Sequence, residues 1–115
     1  MKNWGQLTSV DLFDCKKDLT SGDCLKDFAA NLCSEIGMKL HGEPVIERFG
    51  DGAVEGWSLM QFIETSTITV HLDEIGGRVF VDIFSCKNFD GKKAEDFCVG
   101  FWRAGRVEGK TVSRG

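Results

Sequence analysis

The chain has 115 residues, 42% hydrophobic and 28% charged, the balance of one globular domain, and 1–115 reads as a single unit. With 14 basic against 18 acidic residues its net charge is −4, which argues against broad nucleic-acid binding, since that normally needs a basic stripe. No apolar run approaches the roughly 20 residues that span a bilayer, and Met1-Lys2-Asn3-Trp4-Gly5 lacks a signal-peptide core. A cytoplasmic protein with no membrane or nucleic-acid partner is expected.

Along the chain, Gln6 to Phe13 reads as a first strand, with Leu7, Val10, Leu12 and Phe13 in imperfect alternation. Asp14 to Gly22 is polar and loop-like. Ser21 or Asp23 is suited to cap a helix reaching about Ile36, because Leu25, Phe28, Ala29, Leu32, Cys33 and Ile36 follow helical spacing. Gly37 suits its C-terminal end. Met38 to Phe49 suggests a second strand around Val45 and Ile46, and Gly50 to Gly56 a flexible loop.

Three strand-like runs follow, Trp57–Glu64, Ser66–Leu72 and Arg78–Ser85, rich in β-branched and aromatic residues. Gly76-Gly77 makes the turn between the last two. Asp90 is placed to cap a second helix carrying Ala94, Phe97, Cys98, Phe101 and Trp102, and the tail from Arg106 suggests a short edge strand. This order implies an α+β two-layer sandwich: a mostly antiparallel sheet with two helices packed on one face. The other face would be uncovered, so a partner subunit is expected.

The five cysteines (Cys15, Cys24, Cys33, Cys86 and Cys98) form no CxxC pair, and neither His41 nor His71 sits at zinc-site spacing from them. No metal site or disulfide framework is expected, and Cys24, Cys33 and Cys98 read as small core residues within helical patterns. In the strand-rich middle, Ser58, Ser66, His71 and Cys86 are the groups able to carry chemistry. Alternation puts Thr67, Thr69 and His71 on one face of their strand and Ser66, Ile68 and Val70 on the other. From composition alone they are equally ordinary: strand hydroxyls, a strand-end imidazole and a buried thiol.

Their spacing is more specific. Ser58 and Ser66 are separated by seven residues, Ser66 and His71 by four, and His71 and Cys86 by fourteen. The runs Thr65-Ser66-Thr67-Ile68-Thr69-Val70-His71 and Asp82-Ile83-Phe84-Ser85-Cys86, with Gly56-Trp57-Ser58 before them, resemble the prokaryotic-type S-adenosylmethionine decarboxylases. Those are pyruvoyl-dependent proenzymes that cut their own chain. Gly5-Gln6-Leu7-Thr8 and Phe13-Asp14-Cys15 resemble the family's opening strand, and the short length resembles its shortened viral forms. Thr65 and Thr67 stand where the family usually has Glu and His. Leu72-Asp73-Glu74-Ile75 replaces its Thr-Trp-Pro-Glu.

The resemblance implies cleavage between Thr65 and Ser66, a pyruvoyl group derived from Ser66, and S-adenosylmethionine as substrate for spermidine synthesis. It also implies a homodimer of processed chains. In it, His71 is the proton shuttle, Ser58 hydrogen-bonds the cleavage intermediate, and Cys86 returns a proton to the substrate. Glu74, shifted by one position, is the candidate ribose carboxylate, and Phe49 either stacks on adenine or fills the core. The chemistry suits these residue types, since decarboxylating an amino acid needs an electron sink that no ordinary side chain provides. Two other readings stay open: a pyruvoyl-dependent ornithine or arginine decarboxylase, and an unprocessed relative that only binds S-adenosylmethionine or a partner chain.

Overall fold

Period-two burial along the middle strands decides which face of the sheet the helices cover. The computed structural model describes residues 3–115. Its elements run β1 (Gly5–Phe13), α1 (Leu25–Glu35), β2 (Val45–Phe49), a 3₁₀ turn (Gly52–Val54), β3 (Gly56–Ile63), β4 (Ser66–Asp73), β5 (Arg78–Ser85), α2 (Gly91–Trp102) and β6 (Arg106–Arg114). The strands form one six-stranded antiparallel sheet in the order β2-β3-β4-β5-β1-β6. This is the α+β two-layer sandwich expected from the element order.

On the covered face Val10, Leu12, Leu59, Ile63, Ile68, Val70, Val81 and Ile83 are buried beneath Phe28, Leu32, Ala94 and Trp102 of the helices. Phe28 packs on Phe97, Phe101 and Trp102 with ring centroids 5.0 to 6.0 Å apart, so aromatic stacking joins α1 to α2. The opposite face has no covering layer among the described residues. Phe49, Met60, Phe62 and Val112 lie more than half exposed. No helix is long and apolar enough to cross a membrane.

Local chemistry sets the helix ends. Asp90 caps α2 as expected, its carboxylate accepting the Lys93 N–H at 3.1 Å. At the end of α1, Gly37 takes φ +72, and the N–H groups of Gly37 and Met38 donate to the carbonyls of Ser34 and Cys33. That paired closure needs a left-handed residue, which glycine supplies without strain.

Three boundaries differ from the sequence expectation. Neither Ser21 nor Asp23 caps α1: the N-cap is half-buried Cys24, without a side-chain bond, and Ser21 Oγ accepts from the Asp23 N–H instead. Gly22 is pressed onto the Trp57 ring, where even a Cβ would come within 2.8 Å, so tertiary packing rather than capping chemistry fixes the approach. The second strand is only Val45–Phe49, because Met38 turns into the core and Leu40 makes an isolated bridge to Ile63. The tail strand is nine residues rather than short, paired along the whole of β1.

Candidate active site

The β3–β4 hairpin closes through Glu64 and Thr65, since Ile63 and Ser66 are the last paired residues. Thr65 lies at φ +55, a left-handed conformation that a β-branched residue adopts at a cost of about 1–3 kcal/mol. Its hydroxyl donates to the Glu64 carbonyl and lies 2.6 Å from Cys86 Sγ. Cys86 is thus half-buried at the hairpin rather than core filler.

Ser66 follows the strained residue and is only 6% exposed, and its Oγ is buried without a hydrogen-bond partner. A buried hydroxyl normally finds a partner, so this orphan in a reactive setting calls for a chemical explanation. It borders a cleft of about 630 Å3 that His41, Phe62, Thr65, Thr67 and Phe84 also line.

The far end of β4 holds the second group of candidates. Register sets His71 opposite Ser58, and Ser58 Oγ and His71 Nδ1 share a hydrogen bond of 2.9 Å on the open face. That bond orients the imidazole and leaves Nε2 as the atom able to exchange a proton. Phe49, Met60, Val45 and Glu47 join the pair around a hollow of about 240 Å3. Phe49 is 57% exposed and faces this hollow, which removes the core alternative for it. One strand further on, burial pushes the Asp82 carboxyl up although the side chain reaches solvent, and nearby Asp11 adds to the rise while His71 opposes it.

One chain does not bring all the expected residues together. Ser66 and His71 are five positions apart on an extended strand, about 16 Å, and point to opposite faces. Ser66, Thr65 and Cys86 therefore form one group, and Ser58, His71 and Phe49 another.

Glu74 joins neither group. Arg48 donates to both of its carboxylate oxygens at 2.7 and 3.2 Å and to Glu55 at 3.0 Å, which holds the Glu74 carboxyl below its ordinary value. Glu74, the expected ribose carboxylate, is held in this bidentate pair. The sequence reading passed over two residues that the structure places at the two groups, His41 and Glu47, and did not foresee the left-handed backbone of Thr65. Alternation along Val45-Ile46-Glu47-Arg48-Phe49 would have put Glu47 on the face of Phe49. Nothing local marks His41 or the conformation of Thr65.

The sequence model of S-adenosylmethionine decarboxylase matches residues 6–115. The chain belongs to the S-adenosylmethionine decarboxylase family. A solved structure of the adenosylmethionine decarboxylase from Aquifex aeolicus is similar over 100% of this chain and 93% of that one, at 15% identity and a TM-score of 0.81. At that identity the likeness establishes the fold. No curated protein matches the sequence. For an S-adenosylmethionine decarboxylase-family chain, the unpartnered Ser66 hydroxyl beside a strained peptide and the Ser58–His71 pair are the two features with chemical capacity.

Proposed function

We propose that this chain is a self-processing S-adenosylmethionine decarboxylase that works as a pair of copies packed open face to open face. What carries the reading is the Thr65–Ser66 peptide. A β-branched residue in a left-handed turn precedes a buried serine whose hydroxyl has no other partner. Attack of Ser66 Oγ on the Thr65 carbonyl converts the amide to an ester and relieves the turn. Removal of the Ser66 α-proton then expels the Thr65 carboxylate and leaves a dehydroalanine. Water hydrolyses that residue to a pyruvoyl group and ammonia. The pyruvoyl carbonyl supplies the electron sink for decarboxylation.

The chain's own residues have separate tasks in this scheme. His71 moves the proton at Nε2, Ser58 holds its ring, Phe49 covers the substrate's apolar part, and Cys86 Sγ is the proton donor beside the hairpin. About 16 Å separates Ser66 from His71 along β4, and the two point to opposite faces. The second copy's Ser58–His71 pair would therefore approach through the open-face cleft that Phe62, Thr67 and Phe84 form beside the first copy's Ser66 peptide. The apolar residues of the open face support such a self-complementary contact. The polyamine role follows from the product of this reaction.

Mass spectrometry of denatured, freshly purified protein tests the reading. Fragments 1–65 and 66–115 are expected, the second with a pyruvoyl end, together with release of CO2 from S-adenosylmethionine. A persistent single mass of 12.7 kDa overturns it.

A further inference from the structure

The hollow beside Ser58 and His71 contains one carboxylate without a role so far. Val45, Glu47 and Phe49 alternate along β2, so all three share the open face. Register puts Glu47 directly opposite Ser58, a relation that brings Cβ atoms within about 5 Å. Arg48 lies on the other side, with its guanidinium over the Trp57 ring at 5.9 Å. The neighbouring cation is thereby kept out of the hollow.

The acidic residues nearby differ in what they can still bind. Arg48 holds Glu55 and Glu74, and Arg78 holds Asp73 at 2.6 Å. Among the described residues Glu47 makes no ion pair, and the side chains around it in the hollow include an aromatic ring, a thioether and an isopropyl group. Ser58, Thr69 and His71 are the other polar members of the lining, and Ser58 and His71 are already bonded to each other. The exposed, uncompensated Glu47 carboxylate beside Val45, Phe49 and Met60 therefore favours a cation that carries little water and has apolar substituents. An ammonium is strongly hydrated and demands several acceptors, of which the hollow has few. A sulfonium has no N–H groups, so short-range charge and contact with an aromatic face are what can recognise it.

We infer that Glu47 reads the fixed positive charge of a sulfonium substrate, with Phe49 and Met60 against the sulfonium's apolar substituents. The inference rests on the S-adenosylmethionine reading and adds the residue that would set specificity within it. Glu74 does not line the hollow, and its charge is already compensated by Arg48 at both oxygens.

The test compares two probes that differ by one methyl group and one charge: methylthioadenosine and its S-methylated sulfonium, each titrated calorimetrically into the purified protein. The unmodified protein should prefer the sulfonium by about fivefold, the upper scale of one exposed charge pair. Glu47→Gln should abolish that preference and leave the thioether affinity as it was. Glu47→Asp should keep part of it, and Glu74→Gln all of it. A preference that survives Glu47→Gln overturns the inference, as does an equal loss for both probes. Unmodified protein that binds neither probe overturns the S-adenosylmethionine reading together with it.

Discussion

The two ends of β4 are built on opposite physical terms. At the Ser66 end the backbone is strained, the key hydroxyl is buried and its hydrogen-bonding capacity is unspent. At the His71 end the backbone is regular, the key side chains are exposed and the hydrogen bond between them is already made. The first arrangement suits a reaction of the chain on itself, which needs a poised bond and little access. The second suits a reaction on something that arrives from outside. Residues close in sequence can thus serve one reaction without touching in one molecule.

The largest expected effect removes the first end. Ser66→Ala should remain one uncut chain on a denaturing gel, because no hydroxyl is left to attack Thr65; cleavage of that variant at the same bond would mean ordinary proteolysis. Mixing sharpens the contrast next. Ser66→Ala and His71→Ala chains, each inactive alone, should recover decarboxylation when refolded together, since one of the two shared sites in a mixed pair is intact. Failure to recover, with both chains folded by circular dichroism, would place all the chemistry within one copy.

A smaller loss is expected from Ser58→Ala, which leaves the His71 ring unanchored. Turnover per processed chain should fall by roughly 10²-fold, the range for one lost catalytic hydrogen bond, with the melting temperature nearly unchanged. Unchanged turnover would make the Ser58–His71 bond structural.

The smallest effect concerns the charges beside the His71 end. Burial alone would raise Asp73, but the Gly76 N–H and Arg78 bring it below its ordinary value, and Arg48 does the same for Glu74. Both carboxylates therefore add stability above pH 4 or so, and lose it as pH falls through their lowered folded values. Arg48→Met should flatten that acid loss, shifting the melting temperature by about 2 °C between pH 5 and pH 3. An identical pH profile in the variant would show that the pair contributes nothing.

Much of the sheet could be read from the chain because alternation and turn residues are local signals. Gly76-Gly77, Asp90 and the period of Ser66 to Leu72 each carry their message within a few residues. The opposite orientations of Ser66 and His71 were legible for the same reason. The fate of Glu74 was not, because Arg48 comes from a strand 26 positions away. The start of α1 was misread on similar grounds: the Trp57 ring that confines Gly22 belongs to another part of the fold. The left-handed state of Thr65 follows from the hairpin's register, and a β-branched residue gives no hint of it.

The strand order also governs what happens after a cut at residue 65. The first fragment would own β1, β2 and β3, and the second β4, β5 and β6, yet β1 lies between β5 and β6 while β3 borders β4. Three of the five ladders would then join one fragment to the other, and the two pieces would be interleaved rather than adjacent. Scission of the backbone therefore leaves no seam along which the molecule can part. A native gel should show one species before and after maturation, and only denaturant should reveal two.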